Sequence, residues 1–177
     1  MTSRMVGRLL AAGLIASRLS EVRLAKRNEA AARAAGATEH GKGHYPAFFV
    51  LHPAWLAGIL AESSGAAQPP RLAWLAAGAV ASPVRWATMR ALGDQWTTRI
   101  LITPGRAAVR TGLYRFTPHP AYAAVTLELL ALPMAVRAPR TAALATIANA
   151  LLLGLARIPA ERRAELTRTA PEPSPRG

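Results

Sequence analysis

The chain contains no cysteine, which excludes disulfides, thiolate nucleophiles and zinc sites built on Cys. Aromatic residues are only 6% of it, and most of them sit in or at the edges of apolar blocks rather than among the basic loops. The stacking platforms that a single-stranded nucleic-acid binder needs are therefore missing. Acidic residues number 9 against 22 Lys and Arg, for a formal charge of +13. No apolar run reaches the roughly 20 residues that cross a bilayer as one uninterrupted segment. Also absent are Gly-x-Gly-x-x-Gly, Walker-type Gly-Lys and Gly-x-Ser-x-Gly elements, so nucleotide folds and serine hydrolases have no support.

What is present is helix-forming and apolar. Hydrophobic residues make up 51%, with Ala and Leu well ahead of β-branched types, and both are strong helix formers. The composition predicts an all-α protein of one domain. A mean hydropathy of +0.17 hides five apolar blocks, at residues 5–17, 47–61, 72–84, 122–136 and 142–156. Each is short for a membrane span, but His44-Tyr45 and Arg85-Trp86 at block ends can occupy the interfacial zone and lengthen them.

The arrangement of charge is more telling than its total. Arg18, Arg23, Lys26, Arg27, Arg33 and Lys42 lie between blocks one and two; Arg85, Arg90, Arg99, Arg106, Arg110 and Arg115 between three and four; Arg157, Arg162, Arg163, Arg168 and Arg176 after five. Thus 17 of the 22 basic residues fall on alternate connections. A soluble bundle has no reason to sort cations this way, whereas the positive-inside rule requires it. The expected architecture is an integral membrane bundle of about five transmembrane helices with cytoplasmic loops and a C-terminal helix. It would be multi-pass in the cell membrane, with its C-terminus in the cytoplasm. Residues 1–166 form the expected domain, and the Pro-rich residues 167–177 an expected disordered tail. The first block has no cleavage context, because it runs directly into residues 18–27 with unbroken helical character, and it is expected to remain as a first helix. Residues 62–70 and 137–140 read as tight turns.

Few residues invite chemistry. His40 and His44 have a metal-pair spacing, but Gly41 and Gly43 make a helix there unfavourable, and no metal site is expected. Gly112-Leu-Tyr-Arg-Phe-Thr-Pro-His-Pro-Ala-Tyr122 stands out just before the fourth block. Pro120 suits the first helical position, which puts His119 at the cap and leaves first-turn N–H groups for an anion. The same stretch equally suits a plain loop end with Tyr114 and Tyr122 as interfacial anchors. Glu128, inside an apolar block, needs a partner; Asn149 or a neutral carboxyl is the expected solution. His52-Pro53 and Pro83 are positions for kinks that would open a lateral cleft or, more commonly, for simple packing bends.

With these pieces in order the chain resembles the isoprenylcysteine carboxyl methyltransferase family, specifically its short bacterial members. The matching segments are residues 20–29, 43–46, Arg85-Trp86 through 92–99, Pro104-Gly105, 112–116, 119–122 and 157–161. The resemblance implies a five-helix membrane enzyme that uses S-adenosylmethionine, held at the cytoplasmic helix ends, to methylate an oxygen of a lipophilic acceptor. Isoprenylcysteine-like carboxyls and the hydroxyls of alkylpyrones or phenolic lipids are the acceptor classes implied. Carried over by position, the residues at the cofactor are Tyr114, Arg115, His119, Pro120, Tyr122, Arg157 and Glu161; no catalytic residue is singled out. Pro118 stands where Arg is usual, Pro159 replaces a common Arg, and Arg162 replaces an acid. Those departures motivate the alternative of a degenerate member acting as an interaction partner. Expected partners are a lipophilic small molecule and membrane lipid, with no nucleic acid; oligomeric state is left open.

The physical chemistry agrees with these assignments. A sulfonium donor is cationic at its reacting centre and carries a carboxylate and an ammonium at its methionine end. A helix N-terminus with His119 suits the carboxylate, and Glu161 suits the ammonium or ribose hydroxyls.

Overall fold

The computed structural model describes residues 1–169. Its elements, in order, are α1 (Ser3–Ala34), β1 (Thr38–His40), α2 (Tyr45–Ser63), α3 (Leu72–Leu92), β2 (Ile100–Ile102), α4 (Pro120–Ala135), α5 (Pro139–Leu151) and α6 (Ile158–Thr169). A π-helical turn, Leu152–Arg157, joins α5 to α6 in one continuous rod. Five rods therefore make the bundle. The expected tail is shortened, because helix continues through Thr169; the rest of that expected segment lies outside the described residues.

The first helix continues through residues 18–27, as their unbroken helical character predicts, and on to Ala34, with its charged residues finding partners inside the bundle. It stops where Gly36, at φ +80°, takes the left-handed conformation that Gly tolerates best. There the N–H groups of Gly36 and Ala37 donate to the carbonyls of Arg33 and Ala32. Contrary to expectation, the protein is not purely helical: β1 and β2 pair antiparallel, Glu39 opposite Leu101. Three polar residues after a helix stop carry no alternation that a sequence could reveal; only the partner strand makes them a strand.

Helix ends sort to two ends of the bundle. Ser3 N–H donates to Gln68 O at 2.9 Å, and Arg71 N–H to Ala135 O at 2.9 Å. Glu62, at the end of α2, accepts the Arg140 and Thr141 N–H groups at 3.0 and 2.8 Å and so caps α5 from outside. These bonds gather the short turns at one end. The long connections and α6 lie at the other. Between the ends, Trp55, Ile59, Leu129, Leu132 and Val136 form the apolar core. Gly78 lets α3 approach α4 so closely that a Cβ there would lie 2.2 Å from Leu132 Cδ2.

Glu128 does not use Asn149. It is held by Arg18 of α1, which also pairs with Glu21 at 2.7 Å; Glu21 in turn accepts Arg85 at 2.5 Å. The result is a charge-balanced quartet from α1, α3 and α4. Asn149 instead donates to Thr126 Oγ1 at 3.1 Å. The rods run through Pro53, Pro83 and Pro133 without a break, and the His52 ring N–H donates to Phe48 O at 3.0 Å. A cleft lies between α1 and α3. One rod, Pro139–Arg168, is long and apolar enough on its own to cross a membrane, and only 22% of its most apolar window is buried; Pro120–Ala135 is apolar but shorter.

Candidate functional site

The rod formed by α5 and α6 carries an irregularity that shapes the site. Pro159 has no N–H, and its ring would crowd the Leu155 carbonyl in a regular α-helix. The wider π turn ending at Arg157 accommodates it. Arg157 and Glu161 then stand four residues apart on one face, Nε to Oε1 at 2.8 Å. α4 faces them with Tyr122. The Tyr122 hydroxyl donates to Glu161 Oε1 and accepts from Arg157 Nε at 3.0 Å. His119, the cap residue of α4, stacks on Tyr122 with ring centroids 5.1 Å apart, and its Nδ1 lies 3.5 Å from Glu161 Oε2. Four of the predicted residues, His119, Tyr122, Arg157 and Glu161, thus meet in one cluster.

The other three fare differently. Tyr114 borders the cluster: burial first, then the negative charge of Glu161, pushes its phenol up to about 12. Arg115 is not in the site. It is exposed, with its guanidinium over the Phe116 ring at 4.4 Å. Pro120 does occupy the first helical position, but the expected anion cradle is small. The Tyr122 and Ala123 N–H groups donate to His119 O, which leaves at most the Ala121 N–H. An imino acid followed by a tight first turn consumes the donors that an ordinary helix start would offer.

Several members of the site carried no assigned role in the sequence. Arg157 Nη1 donates to Thr98 O at 3.0 Å. Thr98 Oγ1 donates to Glu29 at 2.8 Å and accepts the Tyr45 hydroxyl at 2.8 Å. Arg99 lies 4.0 Å from the Tyr45 ring centroid and binds Glu39 at 2.5 Å. His44 sits behind Arg157 and Glu161, its Nε2 buried with no hydrogen-bond partner. Burial, then the Arg157 cation, pushes its pKa below the usual 6.5, while Glu161 acts to raise it. Gly41, at φ +62°, makes room: a Cβ there would lie 2.5 Å from His44 Cε1 and 2.9 Å from Ala160 Cβ. A signal existed for these positions, since segments 20–29, 43–46 and 92–99 were part of the family pattern, but nothing in them named a partner.

Among the described residues, no three of His, Asp and Glu converge as a metal ion would require. What the cluster offers is a carboxylate with one oxygen committed to Tyr122 and Arg157 and the other 3.5 Å from the His119 imidazole, with the buried His44 imidazole and the Arg157 cation alongside. Such a set can hold a ligand that carries a cation and hydroxyl groups.

This helical bundle carries its polar cluster between α4 and its long apolar rod, and similarity to known proteins places it in a family. The chain belongs to the isoprenylcysteine carboxyl methyltransferase (ICMT) family, whose model matches residues 74–166. That range holds His119, Tyr122, Arg157 and Glu161 but excludes His44, Glu29 and Glu39. The uncharacterized protein YpbQ of Bacillus subtilis (strain 168) is 38% identical over 159 residues, which covers 88% of this chain and 94% of that protein. No solved structure matches.

Proposed function

We propose that the protein is an S-adenosylmethionine-dependent O-methyltransferase of a lipophilic carboxyl or hydroxyl acceptor. One observation carries the reading. In a chain of a methyltransferase family, Glu161 is locked by Tyr122 and Arg157 through one oxygen and presents the other beside His119. The other oxygen, Oε2, would accept an ammonium or ribose hydroxyl. His119, with the Ala121 N–H, would meet the methionine carboxylate. The cofactor, when bound, supplies an electrophilic methyl group on a sulfonium. Arg157 and Tyr122 fix the Glu161 rotamer, so the chain's part in catalysis is chiefly positioning the acceptor within about 3 to 3.5 Å in line. An acceptor carboxylate needs no base, and a phenol or enol of low pKa needs only a modest one.

The same reading puts five spans in the cell membrane with the cluster, the long connections and the C-terminus in the cytoplasm. Exposed Ile15, Phe49, Val50, Val80, Leu144, Ile147 and Leu155 support it, as an outer surface that lipid would cover. The acceptor would enter from that lipid, and residues 1–166 would act as one domain. Calorimetry on the detergent-solubilised full chain tests the reading. Binding of S-adenosylmethionine at micromolar levels is expected, and no heat at saturating cofactor would overturn it.

A second reading, a degenerate member serving as an interaction partner, draws on the Arg157 cation being spent on Tyr122, Glu161 and Thr98 O. Pro118 and Arg162, next in the chain to His119 and Glu161, are exposed. Under it, wild type binds no cofactor and the combined P118R, P159R and R162E variant gains binding.

A further inference from the structure

We propose that the cleft between α1 and α3 is a binding site for the anionic phosphate headgroup of a membrane lipid. The inference rests on the bundle spanning a bilayer, but not on the methyltransferase reading. The cleft has a volume of about 410 Å³ and is walled by Leu24, Arg27, Asn28 and Ala31 on one side and by Trp86, Met89, Arg90, Gly93 and Asp94 on the other. Each wall is one helix face, at spacings of three and four residues. Asn28 holds the walls together, its amide donating to Gly93 O at 3.1 Å and Trp96 O at 2.8 Å.

Polarity is graded along the cleft in the sense an amphiphile requires. Leu24 and Trp86, both exposed, lie nearer the middle of the bundle. Arg27 and Arg90 follow one turn further toward the end that carries the long connections. Arg18, Arg85, Arg99 and Arg106 nearby each hold a carboxylate, whereas no ion pair or hydrogen bond joins the side chain of Arg27 or Arg90 to any described residue. The acid in the wall, Asp94, is neutralised by Arg106 through two bonds of 2.7 and 2.9 Å. The cleft therefore presents two uncompensated guanidinium groups above an apolar floor that includes buried Met89. Basic pockets between helices at the cytoplasmic face suit phosphate headgroups, with a Trp at the interfacial level.

The test is native mass spectrometry of the full chain in detergent, titrated with phosphatidylglycerol, phosphatidylcholine or inorganic phosphate. Wild type should retain phosphatidylglycerol in preference to phosphatidylcholine, and R27Q/R90Q should lose about thirtyfold of that preference. R23Q/R110Q, which removes two exposed cations outside the cleft, should keep it. Equal retention of the two lipids by wild type, or an unchanged preference in R27Q/R90Q, overturns the proposal. Displacement of phosphatidylglycerol by millimolar inorganic phosphate also overturns it, because the site would then serve a soluble anion. The single variant R90Q, expected to lose about half the effect on a logarithmic scale, stands in if the double variant fails to fold. Cofactor binding measured on the same samples separates the two readings: lipid preference without cofactor binding sinks the enzyme reading alone.

Discussion

Replacing Glu128 by Gln tests the charge quartet that ties α1 to α3 and α4. Two guanidinium groups, Arg18 and Arg85, face two carboxylates, Glu21 and Glu128, and the four side chains are only 3–15% exposed. Glu128 lies eight residues into α4, about 12 Å along its axis at 1.5 Å per residue, so water cannot readily replace a lost partner. Removing one carboxylate leaves a net positive charge inside the bundle. Breaking a buried pair costs about 3 to 5 kcal/mol, and E128Q should fall near 3 kcal/mol, since its amide oxygen still accepts from Arg18. Adding R18Q restores balance, because Glu21 keeps Arg85. The double variant should therefore be no less stable than E128Q alone, with a coupling of about 3 kcal/mol in the cycle, as large as the cost of R18Q by itself. The assay is unfolding by sodium dodecyl sulfate titration in mixed micelles, followed by circular dichroism. A coupling under about 0.5 kcal/mol would refute the argument, for the quartet would then be a surface-like contact.

Three further outcomes are expected. E161Q should weaken cofactor affinity by about ten- to a hundredfold and Y122F by about fivefold, as charged and neutral hydrogen bonds differ; calorimetry reads both. G41A should lower stability by about 1 to 2 kcal/mol from its φ of +62° and the clash with His44 and Ala160, and should weaken cofactor binding, whereas G43A, with nothing within 4 Å, should not. Burial alone would raise the pKa of Glu39, but hydrogen bonds from Arg33 and Arg99 outweigh it and hold the carboxyl below 4.5. A depressed pKa stabilises above the unfolded value, so amide protection in the β1–β2 ribbon should be full at pH 6 and decline as pH falls below about 4.5; unchanged protection at pH 4 would count against those pairs.

The two ends of the bundle were legible in the sequence because charge placement along a chain survives folding. Arg99, Arg106 and Arg157 sit at the same end for the reason that they sit on alternate connections. His119, Tyr122, Arg157 and Glu161 were legible as a set through family resemblance, not through spacing. The partners of α1 were not, since Arg18 and Glu21 look like a polar surface until Arg85 and Glu128 are brought alongside. Arg115 misled because it adjoins Tyr114 in sequence, yet the 3-10 turn over Gly112–Arg115 leaves Tyr114 half-buried and Arg115 exposed.

The route by which the N-terminal third reaches the site also explains why that part of the chain matters. Glu161 and Arg157 belong to the segment matched by the family model, but Arg157 is anchored to Thr98 O, and Thr98 is anchored to Glu29 and Tyr45. Glu29 can reach Thr98 only because α1 extends about four turns past Ser20, and that extension in turn depends on Arg18 and Glu21 finding their partners. The quartet in the middle of the bundle and the cluster at its end are therefore connected by a single helix. A change at Glu128 that lets α1 shift should disturb Arg157 without touching it, so E128Q should lose cofactor affinity as well as stability, and R18Q/E128Q should recover both together.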